Sequence, residues 1–525
     1  MGVVPVVVSA VKSWAPTRGV RVELDWWMLV GSVVALIAII SSRIGTRLGL
    51  PSLLLFLLLG MAIDVSHVFP SFNDAELAHS LGFAALVLIL AEGGLTTRWV
   101  EIRGAIPVAG LLATVGTLVS VGVMWAFGTF VLGLDPWLAA LLGAVCSPTD
   151  SAAVFSVLRR VPLPARLRST LEAESGLNDA PTVLLVAELS RLAAGGHLDG
   201  GVPGFVAMVL FELAAGVFVG IVLGWFGVKL LRNIALPSSG LYPIATVFWA
   251  VLAYGVGTAV HASGFAAVYV CAVLLGNGRL PHRVATRSFV EGIGWIAQIG
   301  LFVMLGLLAT PARITLYAVL VALAAGLFLT LVARPLSVLA CASWFKVPWR
   351  QQAFLSWAGL RGAVPIILAT VPMVEQVPGA EGLFDIVLVI VVVFTLLQAP
   401  TLPRVAKWLS VIEHSPTDVE VEVAPMEQIA ADLLQIRIPE GSRLHNVEVA
   451  ELRLPRDTVV SLVIRDGTPF TPHGQTALQV GDELLIVTPA RFREQVEERL
   501  REVGQYGRLA KWRRGLDPQS EEDLD

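Results

Sequence analysis

The chain holds 525 residues, of which 55 % are hydrophobic and only 15 % charged, and its mean hydropathy is +0.76. Soluble domains carry about 25 % charged residues, so a soluble enzyme of this length would have more apolar surface than its cores could hide. A pI of about 6.1 and the lack of any glycine period exclude a nucleic-acid binder and a collagen-like chain, leaving a polytopic membrane protein.

Charge divides the chain. Residues 1–410 carry 24 Lys and Arg against 19 Asp and Glu, whereas residues 411–525 carry 13 against 22. The first part is net positive and membrane-like; the second is acidic and water-soluble in composition. Cys146, Cys271 and Cys341 all lie in apolar stretches without metal-ligand spacing, so buried packing is expected.

Residues 1–25 form an N-terminal tail whose Val-rich run is too short to span and lacks a basic start, so the first true span is expected to be an uncleaved anchor. Apolar stretches then fall near 26–44, 51–65, 76–95, 105–132, 136–158, 168–194, 203–232, 241–260, 262–277, 284–308, 312–341, 350–371 and 382–408. They predict an all-α membrane domain over 26–410 with about 13 transmembrane helices. Two of them, 51–65 and 262–277, are short and must lie inside the bundle or be re-entrant.

Lys and Arg sit on alternate connections, eighteen on one side (Arg334 counted among them) against Arg191 and Arg313 on the other. The positive-inside rule puts the acidic tail in the cytoplasm and the N-terminus outside. Lys12, Arg18 and Arg21 pull mildly the other way. Trp26, Trp27, Trp99, Trp137, Trp344 and Trp408 lie near span ends, where an aromatic belt or plain packing would put them.

A charge at mid-bilayer costs ~2.5–3.5 kcal/mol on insertion scales, so each one there asks for a reason. The fifth span reads Cys146-Ser-Pro-Thr-Asp-Ser-Ala-Ala-Val154. Pro148 removes a backbone donor and hydroxyls can replace the freed partners. Asp150 at this break is either a ligand for an alkali cation or the N-cap of a Pro-kinked helix. The sixth span reads Glu172-Ala-Glu-Ser-Gly-Leu-Asn-Asp-Ala-Pro181, with Ser175 and Asp179 on one face. A deep lone carboxylate such as Asp179 is protonated unless a cation sits beside it, and that competition is the physics of an exchanger. A structural Asp bound to a neighbouring helix is the other reading.

The twelfth span reads Trp357-Ala-Gly-Leu-Arg-Gly-Ala-Val-Pro365, a second broken helix, now with a cation. Arg361 needs a buried anion, for which Glu174 is the expected partner. Broken spans five and twelve occupy the same place in two halves of six spans, 1–6 and 8–13, which points to a transporter site between inverted repeats. Glu92, ending the third span, is a further candidate for facing the site. Glu188, Glu212, Glu291 and Asp385 read as packing or loop-proximal groups. No zinc site, nucleophile elbow or Walker loop is present in the sequence, so no cofactor and no catalytic residue are expected.

These motifs together resemble the cation:proton antiporter-1 family: Thr149-Asp150 in one broken helix, Asn178-Asp179 in the next span, and Leu360-Arg-Gly-Ala-Val364. The nearest branch is the NhaP-type sodium or potassium/proton antiporters, and the likeness covers residues ~25–410. The resemblance implies an NhaA-like fold with two crossing broken helices, a homodimer, and a scaffold (spans 1–3 and 8–10) past which a core (spans 4–6 and 11–13) moves as an elevator. It makes Asp179 the shared carrier of proton and monovalent cation, with Asp150, Thr149 and Ser175 helping to ligate the ion. It makes Glu174 and Arg361 a structural pair that holds Asn178, and it matches Glu92 to a family acid. The Asn-Asp version implies electroneutral exchange, one cation for one proton.

In the tail, 411–430 read as a linker, 431–490 as a small α/β domain, and 491–525 as a charged helix and acidic end. Strands are predicted at Leu433–Ile438, Val459–Ile464 and Glu483–Val487, and a helix near Ser442–Ala450 capped by Ser442. The pattern Leu454-Pro455, Ile464-Arg-Asp-Gly467 and Val480-Gly-Asp-Glu-Leu484 resembles the TrkA C-terminal (RCK C) domain. Such domains dimerise and bind small regulators, so a nucleotide ligand and a ligand-free dimerisation module both stand. The domain tilts the cation towards K+, with Na+ as the other choice. The whole reads as an electroneutral cation/proton antiporter of the cytoplasmic (inner) membrane. A tail-gated cation channel and an intramembrane aspartyl protease using Asp150 and Asp179 are the alternatives; no Thr-Val-Gly-type filter favours the channel, and the protease leaves Arg361 and the Asn-Asp pair unexplained.

Overall fold

The computed structural model describes residues 19–48, 51–65, 74–158, 161, 163–197, 201–412, 420–426, 431–439, 441–455 and 457–507. The chain forms two compact units, Met1–Ile412 and Glu413–Asp525.

The first unit is helical. Its main helices are α1 (Gly19–Leu48), α2 (Ser52–Val65), α3 (Ala75–Thr96), α4 (Ile106–Phe130), α5 (Pro136–Val145), α6 (Ser151–Leu158), α7 (Ala165–Ala193), α8 (Gly201–Asn233), α9 (Leu241–Ala259), α10 (Gly264–Asn277), α11 (Arg283–Leu308), α12 (Leu316–Phe345), α13 (Trp349–Trp357), α14 (Ala363–Leu368) and α15 (Ala380–Trp408). Each predicted apolar stretch falls on helix. Among the described residues, seven helices are long and apolar enough to cross a bilayer. Helix α1 starts at Gly19, inside the stretch read as an N-terminal tail; residues 1–18 lie outside the described residues.

The two short stretches lie inside the bundle. Helices α2 and α10 have 14 residues each, about 21 Å of helix against a ~30 Å hydrocarbon core. Small residues seat them: Gly60 of α2 meets Gly306 of α11 backbone to backbone, and Gly276 of α10 lies against Leu95 of α3. A Cβ at either glycine would overlap the neighbouring chain. Large apolar side chains point outward instead, as on α8, where Phe211, Phe218 and Trp225 are exposed to what a bilayer would fill.

Two helices carry a π-turn, Leu112–Gly116 in α4 and Leu329–Ala333 in α12. In the predicted two-half scheme these are spans four and eleven, the same place in each half, as are the broken fifth and twelfth. A π-turn frees carbonyls, and α12 satisfies those of α4: Ser337 Oγ donates to Gly116 O at 2.9 Å and Cys341 Sγ to Leu111 O at 3.4 Å. All three cysteines are buried and free.

The second unit is a five-stranded antiparallel sheet in the order β1-β2-β5-β3-β4, with β1 Glu420–Met426, β2 Ala431–Arg437, β3 Val459–Arg465, β4 Thr468–Phe470 and β5 Glu483–Pro489. The alternation of Leu484 and Ile486 inward on β5 is the period-two signal that made these strands readable. Helix α16 (Arg493–Tyr506) packs Val496, Leu500 and Val503 into the same core as Leu434 and Ile436 of β2. Two tail expectations change. Part of the predicted linker, Glu420–Met426, is strand β1. The helix expected near Ser442–Ala450 is a run of turns and a short 3-10 helix, Val449–Leu452; Ser442 Oγ accepts from the Leu444 amide instead of capping a helix. Asp482 is fully buried and holds Arg465 by two hydrogen bonds of 2.8 Å, which raise the Arg465 pKa above its ordinary value.

Candidate functional site

The chain breaks at Ser147–Asp150 because Pro148 cannot donate. Ser147 Oγ returns a bond to Ala144 O at 2.9 Å. Asp150 restarts the helix: its Oδ1 accepts from the Ala153 amide at 3.1 Å, an N-cap. The second break runs from Ala358 to Gly362. Its Leu360 O accepts from the Asp150 amide at 2.8 Å, so the two breaks are bonded to each other.

Charge at this junction follows the helix ends. The carboxylate of Asp150 lies at the N-terminus of α6 and against Gly362, the residue before α14. A Cβ at 362 would overlap Asp150 Oδ2, so only glycine lets the second break approach. Arg361 serves the opposite, carbonyl-bearing ends: Nε donates to Cys146 O at 3.2 Å, after α5, and Nη1 to Gly359 O at 2.8 Å, after α13. Thr395 Oγ1 fixes the Arg361 carbonyl at 3.0 Å.

That arrangement corrects one expectation. Glu174 does not hydrogen-bond Arg361; both its oxygens bind Arg334, Oε1 to Nη1 at 2.6 Å and Oε2 to Nη2 at 2.9 Å. Arg334 follows the π-turn of α12 and is 4 % exposed, so it is no loop residue and leaves the loop count. The anion that Arg361 needs is supplied by helix-end carbonyls, which a sequence does not display. Asn178 is likewise held by Thr149, whose Oγ1 accepts from Nδ2 at 3.2 Å, and not by the Glu174–Arg361 pair expected.

Helix α7 brings Ser175, Asn178 and Asp179 to the junction. A cavity of about 510 Å³ opens there, lined by Thr149, Asp150, Ser175 and Asp179, with Glu92 of α3 on its far wall. Asp179 is 6 % exposed, and its Oδ1 has no hydrogen-bond partner among the described residues. Glu174, Asn178 and Arg361 lie outside the lining, behind it. At the cavity's outer part stand Arg98, Glu101, Arg168 and Arg287. Tyr269 of α10 also lines it, its hydroxyl packed on Gly176, where any side chain would clash.

Sequence reasoning missed Arg334, Gly176 and Tyr269, and it singled out Gly362 beside Arg361 without foreseeing its contact with Asp150. Arg334 was hidden by its place near a span end. Among the acids read as packing groups, Asp385 accepts from Arg313 Nη2 at 2.9 Å and from Nε at 3.0 Å, and Glu188 pairs with Arg191.

Residues 32–408 match the sodium/hydrogen exchanger transmembrane family, and residues 433–501 match the TrkA-C domain. The chain belongs to the sodium/hydrogen exchanger family. Its relatives include a K(+)/H(+) antiporter NhaP of Alkalimonas amylolytica, 35 % identical over 88 % of this chain and 80 % of that protein. A K(+)/H(+) antiporter NhaP2 of Shewanella sp. (strain MR-4) is 33 % identical over 89 % of this chain and 81 % of that one. The fold is also that of the sodium proton antiporter MjNhaP1 of Methanocaldococcus jannaschii, with a TM-score of 0.64 at 22 % identity over 74 % of this chain and 99 % of that one. This antiporter is therefore a multi-pass membrane cation/proton exchanger with a TrkA-C regulatory domain, a transporter and not an enzyme. The paired aspartates do not belong to a protease, and exchange in this family needs no cofactor.

Proposed function

We propose that this antiporter exchanges one K+ for one H+ across the cytoplasmic membrane, with Asp179 carrying cation and proton in turn. The observation that carries the reading is the Asp179 carboxylate: buried in the wall of the cavity, with one oxygen unpartnered among the described residues and Asp150, Thr149 and Ser175 around the same cavity. A carboxylate so placed must take either a proton or a cation to be neutral in low dielectric. Asp150 is already bound at an N-cap, so it contributes oxygen and field without changing partner. Asn178 is neutral, which leaves Asp179 as the group whose charge alternates and makes the cycle electroneutral. The preference for K+ follows the names of the NhaP and NhaP2 relatives and the presence of the TrkA-C domain.

The cavity's outer arginines belong to the Lys- and Arg-rich side, which the positive-inside rule assigns to the cytoplasm. On that rule this is the inward-open state, with thirteen crossings, the N-terminus outside and the tail inside. We take the bonded pair of breaks as one unit that moves against α2, α3, α10 and α11 to reach the other side, as an elevator in a homodimer. Glu92, on that opposing wall, meets the ion as it enters. The tail takes a small regulator, of which a nucleotide is one class.

The test is exchange in proteoliposomes carrying an internal pH dye, with K+ and then Na+ added outside and no membrane potential. Proton movement driven by K+, unchanged when the potential is clamped, is the expected result. Proton movement with Na+ alone would replace the ion assignment, and none with either would overturn the reading.

A further inference from the structure

On the scaffold side of the cavity, and separate from Asp179, a second, smaller recess of about 40 Å³ lies between α3, α9, α10 and α11. At roughly 10–15 Å³ per water-sized sphere, it has room for about three, the size of one phosphate group. Its polar lining is Arg98, Arg283, Arg287, Thr96, Thr246 and Thr286, and it contains no carboxylate. Arg98 and Arg287 each keep one acidic neighbour outside the recess, Glu101 and Glu291.

A second observation lies in its wall. Thr286 lines the recess and is 7 % exposed, yet its Oγ1 has no partner among the described residues. Thr117, Thr182, Thr246 and Thr258 return a bond to the carbonyl four residues back, whereas Thr129 and Thr330, which line neither cavity, have an unpartnered hydroxyl as Thr286 does. Thr286 returns no such bond, although the His282 carbonyl is in place and accepts from its amide. The recess also lies over the first turn of α11, a 26-residue helix whose N-cap His282 makes no side-chain capping bond. A buried hydroxyl and three guanidiniums are the donor set of an oxyanion site.

We propose that this recess binds a phosphate group, carried by an anionic lipid headgroup or by a free phosphate compound. Its place beside the Arg-rich loops is where an acidic lipid would lie. Arg98, Arg287 and Thr96 line both this recess and the ion cavity. An anion here would offset positive charge at the cation's entrance. That effect on transport rests on the exchange proposed above; the binding does not.

The test is the melting temperature of the purified full chain at constant ionic strength. Dioctanoyl phosphatidylglycerol, dioctanoyl phosphatidylcholine and inorganic phosphate are titrated separately. A concentration-dependent rise with phosphatidylglycerol alone assigns the lipid; a rise with inorganic phosphate as well assigns the phosphate itself. The rise should fall at least tenfold in apparent affinity in Arg283→Gln and in Thr286→Val, neither of which lines the ion cavity. Thr286→Ser, which keeps the hydroxyl, and Arg283→Lys, which keeps the charge, should restore most of it and guard against a misfolded variant. No rise with any of the three ligands, or equal rises in the parent and the Thr286→Val and Arg283→Gln variants, overturns the proposal.

Discussion

Glu174 and Asp179 lie on one helix, five residues and therefore about 140° of rotation apart, and the protein treats them in opposite ways. Both oxygens of Glu174 are taken by Arg334. Asp179 faces the cavity with an oxygen that nothing in the described structure binds. The same chemical group is a fixed strut on one face and, in the exchange proposed above, an open coordination position on the other. What separates them is a single facing arginine. That proposal uses both kinds of acid: one whose partner never changes, and one whose partner must.

Removing the open carboxylate has the largest expected effect. Asp179→Asn should abolish exchange in proteoliposomes while size-exclusion chromatography shows the same folded yield; normal transport by this variant would mean that the carrier is another residue. Disturbing the junction comes next. Gly362→Ala drives a methyl into Asp150 Oδ2; if Asp150 ligates the ion as proposed, misplacing it by about 1 Å is expected to cost on the order of a hundredfold in rate. That loss should appear in turnover with K+ while the protein remains extractable and monodisperse.

The strut answers differently. Glu174→Gln leaves Arg334 buried without its counter-charge, for which about 3–5 kcal/mol is expected. It should be read first as a lower melting temperature and poorer yield. Replacing both partners by apolar groups, Glu174→Leu with Arg334→Met, should recover much of the stability. If the double variant is as unstable as the single one, the pair is not what the stability depends on. The smallest effect is expected in the tail. Arg465→Ala strips the buried Asp482 carboxylate of two of its three hydrogen bonds, leaving the one from the Gln479 amide. It should make residues 431–507 more sensitive to limited proteolysis in the full chain while cation/proton exchange persists.

The two breaks and the deep aspartates were legible because the physics that makes them costly in a membrane also makes them conspicuous in an apolar sequence. Pro148, Asp150, Asp179 and Arg361 each violate the surrounding pattern. Their partners were not legible. Arg361 binds backbone carbonyls of Cys146 and Gly359, and carbonyls are present at every residue, so no letter marks the two that are free. Arg334 was read as a loop charge because it stands near the end of an apolar stretch, whereas the π-turn before it and the Glu174 opposite keep it inside. In the tail, period-two runs foretold three strands, but Ser442–Ala450 has no comparable periodicity to separate a helix from a series of turns.

The π-turn at Leu112–Gly116 sets a limit on how this chain can vary in length. A π-turn is one residue more than an α-helix needs. Losing that residue would rotate everything after it by about 100°. Met124 and Gly128, which lie against Gly143 and Ala139 of the next helix, would then leave the face they share with it. Surface connections absorb insertions and deletions, but here a single-codon deletion inside an apolar helix would act as a change of register, and relatives that keep this packing are bound to keep the extra residue.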